Sequence, residues 1–141
     1  MSAVLALLLA LPSLAAPPHV KVTAAYVPGS GGGEAAIAVQ FTAADPNIRV
    51  NEDPAPRLKL AADQQVLVEK PAPRRSPSTS VPGQGRYLDP NLPVTFPVRI
   101  AARAARGEHT VKATVTYFYC SKSEGWCRKG MADVDVPVRV P

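Results

Sequence analysis

From Val111 to Val136 the chain alternates apolar and polar residues on both sides of a short insert, SKSEGW, bracketed by its only two cysteines, Cys120 and Cys127. If those cysteines face each other across an antiparallel hairpin, every other pairing follows. Val111 meets Val136, Ala113 meets Val134 and Val115 meets Ala132, so one face is wholly apolar. On the other face Lys112 meets Asp135, Thr114 meets Asp133 and Phe118 meets Lys129. A slip of one residue would mix the two sets, because side chains alternate between faces with a period of two. The pattern therefore predicts a long β-ribbon with one buried side. The same parity puts both cysteines on the outward side, beyond Phe118 and near the tip. Opposed residues there have Cα atoms about 4.5–5.5 Å apart, a separation that a disulfide accepts.

The rest of the chain repeats the same period, and no segment carries a helical one. Val20, Val22, Ala24 and Tyr26 share one face of a first strand, and Ile37, Val39 and Phe41 share one face of a second, with PGSGGG as the turn between. Shorter strands are predicted at Ile48–Val50, Arg57–Ala61 and Gln65–Glu69, broken by NEDPAP and AADQ. Val94, Phe96, Val98 and Ile100 mark another. Before it runs KPAPRRSPSTSVPGQGRYLDPNLP, whose prolines and glycines predict a long loop without a ladder. About seven to eight short strands in one domain give an all-β fold, an antiparallel β-sandwich of immunoglobulin-like kind.

At the N-terminus an apolar run from Ala3 to Leu11 precedes Pro12 and the small residues Ser13-Leu14-Ala15, the pattern of a cleaved secretory signal over residues 1–15. Cleavage would leave residues 16–141, about 125 residues, which is the size of one domain with a single core. No later stretch is apolar enough to span a membrane as a helix, so the expectation is a periplasmic or secreted protein. In an oxidising compartment a close cysteine pair is disulfide-bonded by default. The net charge of +5 does not make a nucleic-acid binder, because the cations are scattered and only Arg74-Arg75 and Arg128-Lys129 are adjacent. A phosphate-tracking surface needs a continuous basic stripe with stacking aromatics.

No cofactor or metal is expected. A blue-copper set needs two histidines with Cys and Met. His109, Cys127 and Met131 are present, but no histidine lies between Cys127 and Met131, and His19 sits near the start of the mature chain. His109 follows RGE and reads as a turn residue.

The cysteine pair has two readings. As a clip it closes a very short loop, worth about 2.5 kcal/mol in the chain-entropy estimate. As an exchange site it would sit at an exposed tip, with Lys122, Arg128 and Lys129 favouring a thiolate and Glu124 opposing them. Trp126 and Phe118 would shield the bond. A secreted, non-enzymatic β-sandwich binding module with a structural hairpin disulfide is the corresponding alternative function.

The segments VTFPVRI, GEHTVKATVTYFYCSKSEGWC and VDVPVRV resemble the N-terminal periplasmic domain of the thiol:disulfide interchange protein DsbD, over roughly the last third of the chain. PNIRVNEDPAPRLKL is a looser echo of the same domain. The resemblance implies an immunoglobulin-like domain that relays electrons between a membrane or thioredoxin-like donor, here a separate protein, and thioredoxin-fold periplasmic partners. It implies that Cys127 forms the mixed disulfide and that Cys120 resolves it. Two departures stand out. The loop between the cysteines is one residue longer than the family's, and SVPGQGRY stands where the family carries an acidic and aromatic cap. Val81, Pro82, Gly83 and Gln84 supply neither, which leaves Tyr87 as the nearest candidate.

Overall fold

The computed structural model describes residues 18–30, 34–70, 78–81 and 85–141, so the segment expected to be a signal, residues 31–33 of the PGSGGG turn and parts of the proline-rich stretch lie outside the described residues. Among the described residues ten strands follow in chain order: β1 (Val20–Val27), β2 (Ala36–Ala43), β3 (Ile48–Val50), β4 (Arg57–Leu60), β5 (Leu67–Glu69), β6 (Ser78–Val81), β7 (Gly85–Leu88), β8 (Val94–Ile100), β9 (Gly107–Ser121) and β10 (Cys127–Val140). All pair antiparallel. Among the described residues no helix is long and apolar enough to cross a membrane.

One sheet has the order β1-β2-β8-β5, and the other is built on β9, with β10 along one edge and β3 and β4 in succession along the other. The alternating residues meet between them, as expected of an all-β antiparallel sandwich. Ile37 and Val39 of β2, Val94 and Val98 of β8, Val111 and Val115 of β9 and Val136 of β10 are each less than 2% exposed. Burying such side chains contributes about 1.5–3 kcal/mol each relative to leaving them in water. Phe41 reaches from one sheet to Tyr117 of the other, ring centroids 5.2 Å apart.

The β9–β10 ribbon has the register set by its alternation, from Gly107↔Val140 to Cys120↔Cys127, with no bulge. On the opposite edge of β9, Ile48–Val50 pair with residues 119–121, and Arg57–Leu60 pair with residues 113–116. Hydrogen bonds from Asn51 N to Phe118 O (2.8 Å) and from Ala61 N to Lys112 O (2.9 Å) extend each short ladder by one residue. Between them the chain leaves β9 at EDPAP, where Pro54 and Pro56 have no N–H to offer.

Two expectations need correction. The long stretch before β8 holds a small ribbon, in which β6 pairs β7 from Ser78↔Leu88 to Val81↔Gly85. These are its proline-free segments. Pairing with each other, and joined to the larger sheet by a bridge between Asn51 and Tyr87, they avoid the lost donors of the flanking prolines. His109 is a strand residue of β9, not a turn residue, and its Nε2 lies 2.6 Å from the Ala105 carbonyl oxygen, to which it donates.

Candidate disulfide site at the ribbon tip

The tip is built by backbone hydrogen bonding before any side chain acts. Ser121 N donates to Trp126 O at 2.9 Å and Gly125 N donates to Ser121 O at 2.9 Å, closing a turn over Lys122–Gly125. Gly125 has φ of 74°, a left-handed conformation that a side chain disfavours, which fixes glycine at this place in SKSEGW. The Ser121 hydroxyl accepts from Glu124 N at 3.2 Å and braces the same turn. Because Ser121 and Trp126 are the hydrogen-bonded pair, the next pair, Cys120 and Cys127, is the non-hydrogen-bonded kind in which Cα atoms approach most closely. They lie 4.0 Å apart and carry a disulfide.

The two sulfurs have unequal surroundings. Cys120 is buried, with 8% of its surface exposed, whereas Cys127 is exposed. Both lie on the outward face of the ribbon, as their place in the alternation predicts, but Cys120 is shielded from solvent there. On the side of β9 away from Cys127, β3 places Arg49 directly opposite Cys120. Such cross-strand neighbours have Cβ atoms about 4.5–5.5 Å apart on the same face. Arg49 is half-buried, and among the described residues no carboxylate pairs with it. One residue beyond β3, the Asn51 side chain brings Oδ1 to 3.3 Å from Cys120 Sγ. A disulfide sulfur has no proton to donate, so in the oxidised protein this is a polar contact and not a hydrogen bond. The Asn51 backbone is held from both sides, by its bond to Phe118 O and by the bridge to Tyr87.

Tyr87 arrives with that bridge. It is half-buried, and with Lys122, Gly125, Trp126 and both cysteines it lines a shallow pocket of about 310 Å³. The β6–β7 ribbon is tied down beside it by Glu52 N donating to Arg86 O (3.3 Å) and by an ion pair between Arg86 Nε and the buried Glu52 Oε2 (2.7 Å). The residue suggested as a cap thus lines the same pocket as the bond, while Pro82, Gly83 and Gln84 lie outside the described residues and Val81 is described by its backbone pairing with Gly85.

Other expected neighbours separate. Trp126 directly precedes Cys127, so the period of two sends its ring to the core side. There it meets Tyr119 edge-on at 5.8 Å and His19 at 5.2 Å. Arg128 takes the same side and stacks its guanidinium 4.1 Å over that ring. Glu124 accepts the indole N–H at 2.6 Å. Trp126 and Arg128 thus stack with each other on the core side, while Trp126 also borders the pocket that holds both sulfurs. Lys122 lines the sulfur pocket, and Lys129, paired with Phe118, shares the outward face. Phe118 is half-buried two residues from Cys120.

Arg49 and Asn51 are the neighbours that sequence reasoning passes over. Their signal is present in IRVN, whose alternation sets Arg49 and Asn51 against the buried Ile48 and Val50. What a single strand of three residues cannot reveal is which strand it lies beside. Comparison with protein-family models, with curated proteins and with solved structures finds no significant match for this chain.

Proposed function

We propose that this protein is an exported thiol–disulfide exchange domain, passing electrons to or from thioredoxin-fold partners through Cys120 and Cys127. The observation that carries this reading is the asymmetry of the bond: one sulfur exposed, the other buried with an amide 3.3 Å away and Arg49 opposite it in the ladder, at the end of a ribbon that runs unbroken without them. The resemblance to the N-terminal domain of the DsbD family supports the partner class and a periplasmic setting. In that family the cysteine equivalent to Cys127 meets the partner, and here Cys127 is the accessible sulfur.

The exchange balances as follows. A thiolate of a reduced partner attacks Cys127 Sγ, a new S–S bond forms, and the Cys120–Cys127 bond breaks with its electron pair on Cys120 Sγ. The partner's second thiolate then attacks its own first sulfur and releases Cys127 as a thiolate. The partner dithiol is oxidised, the cysteine pair is reduced, and the two protons lost by the partner's thiols are regained by the cysteines. Run in reverse, the reduced pair delivers the same two electrons onward.

A second reading is a secreted binding module whose disulfide is only a clip. It draws on a largely apolar groove of about 500 Å³ lined by Phe41, Ile48, Val50, Leu88, Pro90 and Leu92. The two are separated by incubating the native oxidised protein with a reduced thioredoxin-like donor. Opening of the bond is followed through Trp126, the only tryptophan in the chain. The exchange reading expects reduction without denaturant, and expects Cys120→Ala, offered the partner in its oxidised, disulfide form, to accumulate mixed disulfides through Cys127 as its thiolate attacks that bond. A bond that stays closed until the protein is unfolded would leave the clip as its role.

A further inference from the structure

The exchange chemistry leaves one question at this site: where the displaced sulfur's charge goes. When Cys127 is attacked, the electron pair falls on a sulfur that is 8% exposed, and burial alone disfavours a thiolate. Water is therefore a poor partner for it, and the protein must supply one. Arg49 of β3, Lys122 of the turn, Lys129 of β10 and Tyr87 of β7 are grouped around Cys120, and Arg49 also borders the neighbouring groove that holds Asp45 and Asp89. Glu52, which follows Asn51, is paired with Arg86 at 2.7 Å, and Glu124 accepts the Trp126 indole N–H at 2.6 Å. The local balance is cationic, and Arg49 is the cation directly opposite Cys120 in the ladder.

Resting on the exchange reading, we infer that Arg49 and Asn51 are positioning residues that stabilise Cys120 as the departing thiolate and so make Cys127 the sulfur that is attacked. Arg49 contributes charge, and its guanidinium cannot lose its proton near neutral pH. Asn51 contributes an amide whose two ends exchange by a half-turn. The Oδ1 now 3.3 Å from Cys120 Sγ can accept from a thiol, and Nδ2 can donate to a thiolate in the same place. One side chain thus serves both protonation states without a proton of its own. Its backbone, held by Phe118 O at 2.8 Å and by the bridge to Tyr87, keeps it there. This arrangement does the work that an acidic cap would otherwise be asked to do at Val81–Gln84.

The test isolates Cys120 in a Cys127→Ser background and follows its ionisation through the ultraviolet absorbance of the thiolate. Arg49→Gln is expected to raise the Cys120 pKa by about one unit, the low end of what a close opposite charge gives. Arg49→Lys should restore most of that unit and Arg49→Glu should exceed it. Asn51→Leu, similar in volume but without an amide, should also raise it. In the unmodified cysteine pair, Arg49→Gln should slow opening of the bond by dithiothreitol roughly two- to fivefold, since a less acidic thiol leaves more slowly. A side chain that only packs would change stability but leave the titration in place. An unmoved Cys120 titration in both Arg49→Gln and Asn51→Leu overturns the assignment, whatever thioredoxin-like donors do. A moved titration in a protein whose bond those donors cannot open keeps the assignment and removes the proposed partner class.

Discussion

Gly130 faces Tyr117 in the ribbon, and the tyrosine ring occupies the space a side chain there would need. A Cβ on residue 130 would fall 2.7 Å from Tyr117 Oη and closer still to the ring carbons. The ring cannot swing away easily, because it is 5% exposed and packs against Phe41 at 5.2 Å and Tyr119 at 5.7 Å. Gly130→Ala should therefore cost about 1–3 kcal/mol, the range for overpacking a formed core, measured by urea unfolding. Tyr117 also makes the fold sensitive to alkali. Burial, and secondarily the neighbouring Tyr119, push its phenol above the ordinary value of 10.0. The raised group contributes its stability in full below the unfolded value, and that contribution is lost as pH climbs past it toward the folded one. Unfolding at a series of pH values above 10 should show this decline, and Tyr117→Phe should make it shallower.

At the scale of elements, β9 organises the site because it is long enough to be shared. β10 follows it from end to end, while β3 and β4 take the two halves of its other edge. The β9–β10 pair was legible because its alternation is long and strict: Val111, Ala113 and Val115 can face only Val136, Val134 and Ala132 without burying Lys112 or Asp135. The place of β3 was not legible. Ile48–Val50 offers two buried positions, which fit beside any strand of suitable polarity, and only the folded chain brings Arg49 to Cys120. The β6–β7 ribbon was hidden for a different reason. Its strands are four residues each among prolines, and local propensity there argues against pairing, whereas the bridge to Asn51 and the Glu52–Arg86 ion pair are long-range contacts. That ribbon brings Tyr87 to the disulfide. Tyr87→Ala should therefore hasten opening of the bond by a small neutral thiol several-fold while moving the thermal midpoint by no more than a few degrees, as read from Trp126 emission and circular dichroism.

For the whole molecule the disulfide is a minor structural member. The core lies between two sheets and draws on β1, β2, β8, β9 and β10, while the bond joins neighbours already paired at one extremity. Closing so short a loop stabilises by about 2.5 kcal/mol, which for a domain of this size is about 10 °C in melting temperature. Reduced protein should accordingly remain folded at 25 °C and melt in one cooperative transition about that much lower, as calorimetry of the two redox states would record. A fold that keeps its shape in both states can present the same surface before and after its electrons have moved.

The position of Cys120 inside and Cys127 outside also sets a direction of travel. Displacement at sulfur is collinear, so an incoming atom must approach Cys127 along the extension of the S–S axis, opposite Cys120. Cys120 belongs to β9 and Cys127 to β10, and among the described residues β10 is the end strand of its sheet. Under the exchange reading a visitor must therefore reach the sulfur on the β10 side, through the opening shared with Tyr87, Lys122 and Trp126, and its own shape must permit that berth.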